Sequence, residues 1–168
     1  YGARISGVEA ASGDYIAFLD SDDRVSCDFY RRLIQKAELD NADMVIGEYV
    51  LEFPNGTYQY QNYSHTRLLE LSAENEDVLK CLLQQKGSDY SLWVVWNKIY
   101  HKSIWEKALP YLKQQKRHLI MCEDILYSTV LYAFSERLRS VKGDYVFYYK
   151  DEGSSTSRAS LTYDKILK

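Results

Sequence analysis

Proline and cysteine are scarce in this chain, at two and three residues of 168. So little proline excludes a collagenous or proline-rich segment, and 46% apolar residues exclude a disordered chain. Cys27, Cys81 and Cys122 are an odd number with no C-x-x-C pair, which fits a reduced cytoplasmic protein better than a disulfide scaffold. They read as small buried apolar side chains. Long hydrophobic runs are missing too, and nothing approaches the ~20 apolar residues that a membrane-spanning helix needs. Nor is there an excess of positive charge. Lys plus Arg number 21 against 24 Asp plus Glu, a formal charge of −3, so binding of nucleic acid through a broad basic face is not expected. G-x-S-x-G, Walker and G-x-G-x-x-G motifs are absent, which leaves hydrolase, P-loop and dinucleotide readings without support. His65, His101 and His118 lie scattered, without the spacing of a metal site.

Tyrosine is plentiful, with 16 residues against five phenylalanines and three tryptophans. Such rings suit a wet core or a sugar-stacking surface, and the count favours neither. The length suits a single domain, residues 1–168. The chain opens on Tyr1 without a signal-peptide core and reads as starting inside a longer protein. Small residues over 3–11 predict a helix, and the apolar run 15–19, stopped by polar residues, predicts a buried strand. Ser26 can cap a helix whose Phe29, Leu33, Ile34 and Ala37 repeat at helical spacing. Residues 42–53 and 57–60 flank Asn55-Gly56 and predict a hairpin with a tight turn. Residues 74–86 form an amphipathic helix with Val78, Leu79, Leu82 and Leu83 inward. Ser103 starts a helix ending near Pro110, a short strand covers 119–121, a buried helix 123–134 and a strand 145–149. The serine-rich stretch 153–160 reads as a loop and 161–167 as a last helix. Strands alternating with helices predict an α/β layered domain, whose ligands sit beyond the carboxyl ends of the strands.

Asp20-Ser21-Asp22-Asp23 puts three carboxylates directly after the first predicted strand. Their repulsion is costly unless a cation or basic group shares the site, and oxygen-rich clusters suit Mg²⁺ or Mn²⁺ completed by substrate phosphates. An EF-hand is excluded, because Val25 stands where the loop needs glycine and Arg31 where it needs glutamate. By residue type alone a polar turn that caps the next helix explains the cluster equally well. Glu123-Asp124 opens the predicted buried helix, where a carboxylate is also stabilised simply by the helix dipole.

The whole run from Gly7 through Ala10-Ala11-Ser12-Gly13-Asp14-Tyr15-Ile16-Ala17-Phe18-Leu19 to Asp23 resembles the donor-site segment of family 2 glycosyltransferases. Met121-Cys122-Glu123-Asp124-Ile125-Leu126-Tyr127 is similar to that family's E-D motif, at a suitable separation. The resemblance implies a GT-A-like, Rossmann-like mixed sheet flanked by helices, present here as a partial domain whose N-terminal nucleotide-binding segment is absent from this chain. It implies that Asp22, with Asp20, ligates an Mn²⁺ or Mg²⁺ bound to a nucleotide-sugar, and that Asp20 lies near the ribose or sugar. Asp124 would be the general base for the acceptor hydroxyl and Glu123 would help orient it. Trp93-Val94-Val95-Trp96-Asn97-Lys98-Ile99-Tyr100 resembles a segment of bacterial members that build polysaccharide. There Trp96 could form an acceptor platform and Lys98 meet phosphate or acceptor oxygens, against a plain reading as core aromatic and solvated lysine. Tyr148-Tyr149-Lys150 followed by Ser155 and Ser157 is similar to a tail motif, with lysine where the family usually has arginine, which speaks against a bidentate phosphate contact.

The expected function is therefore inverting, metal-dependent transfer of a sugar from a nucleotide-sugar, a UDP-sugar by preference, to a hydroxyl on a glycan or lipid-linked acceptor. Homo-oligomerisation and peripheral association with the inner face of the membrane are compatible with it. The rivals are a noncatalytic glycosyltransferase-like module that binds sugar or a partner, and a metal-dependent nucleotide-sugar hydrolase. Sequons at Asn55 and Asn62 carry no weight in a cytoplasmic chain.

Overall fold

The computed structural model describes residues 2–60, 71–84, 90–115 and 123–150. Its elements run α1 (Gly2–Ala10), β1 (Tyr15–Ala17), β2 (Arg24–Val25), α2 (Phe29–Asp40), β3 (Met44–Glu52), β4 (Tyr58–Tyr60), β5 (Ser72–Glu74), α3 (Glu76–Leu83), α4 (Tyr90–Trp93), β6 (Lys98–His101), α5 (Lys102–Leu112), α6 (Glu123–Phe134) and β7 (Arg137–Tyr149). The strands form one mixed sheet in the order β1-β6-β3-β7-β2, with β4 added to β3 and β5 to β7. β6 runs antiparallel to both β1 and β3, while β3 and β7 are parallel, so β1, β3 and β7 share one direction. Their carboxyl ends therefore lie on one edge of the sheet. Between β1 and β2, which occupy opposite ends of the strand order, residues 18–23 must cross that edge.

Burial explains the layers. β3 is covered on both faces, so its residues read as a continuous apolar run rather than an alternating one. One face packs Ile5, Val8, Tyr100, Trp105, Tyr127 and Leu131 from α1, β6, α5 and α6. The other packs Phe29, Leu33 and Ala37 of α2, spaced one helical turn apart, against Val45, Ile99 and Val146. α2 stops at Asn41, which takes the left-handed conformation at φ 49°. The β3–β4 hairpin forms as expected, with residues 53–57 as its connection, closed by Phe53 N donating to Thr57 O at 3.0 Å and Gly56 N donating to Phe53 O at 2.9 Å. Gly56 at φ 77° closes it, and Asn55 Oδ1 accepts from Thr57 N at 3.0 Å. Among the described residues no helix is long and apolar enough to cross a membrane.

Several local expectations shift. β1 ends at Ala17, and Leu19 is 43% exposed as the chain turns across the sheet edge. Ser26 does not cap α2 with its side chain; its hydroxyl meets Asp144 Oδ1 and Tyr145 N instead. Leu83 is exposed, because α3 turns only Val78 and Leu82 fully inward. The cap of α5 is His101, whose ring nitrogen accepts from Ser103 N, and the helix continues past Pro110 to Leu112. β7 begins at Arg137, well before the expected 145, because Gly143 at φ 80° lets the strand pass an irregularity beside β3. Cys27 is exposed and Cys81 half-buried, so the expectation of buried cysteines does not hold for them. Cys122, the expected strand 119–121, the serine-rich stretch 153–160 and the helix 161–167 lie outside the described residues.

Candidate functional site

The turn after β1 lies over the carboxyl edge of the sheet, tied down at Asp23. Asp23 N donates to Asp20 O at 3.1 Å, and Asp23 Oδ1 accepts from Tyr149 N at 2.9 Å, at the end of β7. Burial pushes the Asp23 carboxyl up to about 6; the Tyr149 N–H opposes the rise, and the neighbouring Asp22, Asp20 and Glu52 charges add to it. Asp22 is exposed beside it and Asp20 has 43% of its side chain exposed. Close by, Arg24 of β2 forms a two-point pair with Glu52 at the end of β3, at 2.9 and 3.0 Å, and lies 3.7 Å from the centre of the Phe147 ring. Lys150 follows Tyr149 directly; its backbone N–H donates to Glu52 O at 2.8 Å and its ammonium lies 5.4 Å from the centre of the Tyr148 ring.

Arg4 of α1 joins this turn to the second acidic motif. Its guanidinium reaches Asp20 Oδ1 at 3.3 Å, Glu123 Oε1 at 3.4 Å and Asp124 Oδ1 in a close contact. It also lies 5.9 Å from the centre of the Phe18 ring, which packs edge-on against Trp105. Glu123 and Asp124 form the first turn of α6, where the positive end of the helix dipole favours their charge. Burial raises the Asp124 pKa, opposed by Arg4, increased by Glu123, and opposed again by the Val95 N–H and Lys98. Arg4 is itself held strongly protonated: burial works against its charge, but Asp124, Asp20 and Glu123 together outweigh it. One cation thus collects three carboxylates from two elements far apart in sequence.

Asp20, Glu123 and Asp124 therefore meet in one site, and exposed Asp22 lies two residues after Asp20 in the same turn. Trp96 is not part of it. It is 3% exposed, stacked on Tyr148 at 5.2 Å and set edge-on to Tyr49, inside the core on the α2 face. An acceptor platform at Trp96 is thus corrected to a core aromatic. Lys98 is likewise fully buried, its ammonium enclosed by the carbonyls of Ser91 and Val94 and by Asn97 Oδ1. It is neither a solvated lysine nor able to touch phosphate or acceptor from there. Arg4 is the residue that sequence reasoning missed. The available signal was its isolation in a helix of otherwise small and apolar residues, broken besides only by Ser6 and Glu9.

The family model described as glycosyl transferase family 2 matches residues 1–109. EpsJ of Bacillus subtilis (strain 168), an uncharacterized glycosyltransferase, is 27% identical over 155 residues, covering 92% of this chain and 43% of EpsJ. EpsH of the same organism is 30% identical over 156 residues, covering 90% of this chain and 42% of EpsH. The chain spans less than half the length of these relatives. Among solved structures, residues 1–349 of Staphylococcus aureus TarS in complex with UDP-GlcNAc superpose with a TM-score of 0.63 at 19% identity, covering 95% of this chain and 40% of that one. That likeness shows the fold, a mixed α/β sheet of the GT-A kind. With the family model spanning most of its length and the acidic turn at the carboxyl edge of such a sheet, the chain belongs to glycosyl transferase family 2.

Proposed function

We propose that the protein containing this chain is an inverting glycosyltransferase that moves a sugar from a UDP-sugar to a hydroxyl on a glycan or lipid-linked acceptor in bacterial polysaccharide synthesis. The observation that carries this reading is the convergence of both acidic motifs on Arg4. A single displacement needs a base on one side of the sugar and charge neutralisation on the other. Asp124 is the base. The acceptor hydroxyl gives its proton to the carboxylate and its oxygen bonds to the anomeric carbon. The bond from that carbon to the diphosphate breaks, and the electron pair leaves with the diphosphate. Burial makes this carboxylate a stronger base than an exposed aspartate, and Glu123 beside it helps orient the acceptor. Arg4 holds the two motifs together, and Lys150 offers a point charge for the donor phosphates. That TarS has been solved with UDP-GlcNAc and with UDP supports a UDP-sugar as donor.

Mn²⁺ or Mg²⁺ fits the charge of the site. One guanidinium against Asp20, Glu123 and Asp124 leaves an excess of negative charge, to which exposed Asp22 adds. Among the described residues no group of three His, Cys, Asp or Glu side chains is placed to hold a metal. In this reading Asp22 and Asp20 would be the protein ligands, with donor diphosphate oxygens and water completing the shell. A bound ion supplies neutralisation of the charge that develops on the leaving diphosphate.

Calorimetric titration of UDP into the intact protein, with Mn²⁺ and then with EDTA, tests the donor side. Wild type should bind only with the metal, and Asp22→Ala should lose at least about tenfold in affinity. Equal binding in EDTA, or an unaffected Asp22→Ala, contradicts the metal assignment. A folded protein that binds no UDP is the noncatalytic module instead.

A further inference from the structure

Lysine is seldom fully buried, yet Lys98 is. Strand alternation places it on the face of Tyr100, towards α6, while Ile99 enters the opposite core. Its ammonium donates to Ser91 O, to Val94 O and, at 2.7 Å, to Asn97 Oδ1, using all three of its hydrogens. Asn97 is in turn fixed to β3, donating from Nδ2 to Gly47 O at 3.2 Å and accepting at its carbonyl from Gly47 N at 2.8 Å. From α6, Ser128 Oγ donates to Trp93 O at 2.6 Å. The segment 91–97 is therefore gripped at its carbonyls from both sides. One amide of this segment, Val95 N–H, is turned to Asp124 Oδ2 at 3.4 Å.

We propose that Lys98 is a positioning residue: by closing segment 91–97 it keeps the Val95 N–H on the Asp124 carboxylate and a fixed positive charge behind it. The proposal deepens the reading of Asp124 as the base and rests on it. A buried ammonium is costly, and a solvated lysine or a methionine would fill a strand at less expense, so its retention needs the carbonyl cage and a nearby anion. Asp124 supplies the anion. Among the described residues, the charged and titratable groups that face its carboxyl are Arg4 from α1, Glu123 from α6, and Lys98 and Tyr100 from β6. Arg4 holds one carboxylate oxygen from the open side, and segment 91–97 holds the other from within.

The test uses the intact protein, Lys98→Met and Lys98→Arg, with release of UDP from UDP-GlcNAc measured across pH. Lys98→Met should lower kcat at least about tenfold with KM for the donor near wild type, and move the acid limb of kcat up by about one unit. Lys98→Arg should return the limb to its wild-type position. A folded Lys98→Met with an unmoved limb, or with its loss in KM alone, overturns the proposal. If Lys98→Met does not fold, the side-chain nitrogen resonance of Lys98 in the wild-type protein decides. It should report a protected ammonium that shifts on Asp124→Asn, and a neutral amine or an unchanged signal overturns the proposal. Failure of the underlying reading looks different: Asp124→Asn would then turn over UDP-GlcNAc like wild type, whatever Lys98 does.

Discussion

Replacing Arg4 with methionine removes the one cation that three carboxylates share while keeping most of the side chain's apolar length. Breaking a fully buried ion pair costs about 3–5 kcal/mol. Here 19% of the Arg4 side chain and 21–43% of its partners' remain exposed, so solvent screens part of the loss. We take about 2 kcal/mol, which for a chain of this size lowers Tm by roughly 4–8 °C. The cost must also depend on pH. The Arg4–Asp124 part requires an ionised carboxylate, so it is present at high pH and fades as pH falls through the folded Asp124 pKa. Burial raises the Asp124 pKa from its ordinary value, so the gap between wild type and Arg4→Met should begin to close at a higher pH than an exposed aspartate would give. Denaturant melts of the intact protein at pH 7.5 and, about, pH 4 measure both effects. A variant within about 0.5 kcal/mol of wild type at pH 7.5, or a gap that stays constant in acid, would refute the reasoning.

Gly47→Ala should destabilise by about 1–3 kcal/mol in a denaturant melt, because a Cβ there would lie 2.3 Å from Phe29 Cε2 in a closed core. Trp96→Ala should cost about 3–5 kcal/mol, whereas a folded Trp96→Phe should leave KM for the acceptor unchanged, since the ring faces the core. The acid limb of kcat/KM in wild type should lie above the ordinary pKa of an exposed aspartate, and a limb below that value would remove Asp124 as the titrating base.

The regular elements were legible where pattern and burial agree. The α6 helix matches its expected bounds, and Asn55-Gly56 marks the β3–β4 turn. Less visible were contacts that depend on tertiary neighbours. β2 and β5 have two and three residues and exist only because β7 pairs with them, so no local periodicity announces them. Lys98 looks like a surface lysine in sequence because two of its three partners are backbone carbonyls, which carry no residue signature. Asp20, Asp22, Glu123 and Asp124 stood out as motifs, yet the meeting point of Asp20 with Glu123 and Asp124 did not. It depends on Arg4, a residue without a pattern of its own.

The measurement that bears most directly on the account is turnover of the proposed UDP-sugar donor by Asp124→Asn in the intact protein, taken together with its affinity for UDP. The account predicts a loss in kcat of at least about a hundredfold with UDP affinity within about twofold of wild type, because asparagine keeps the shape of the site but cannot take the acceptor's proton. Turnover close to wild type would contradict it.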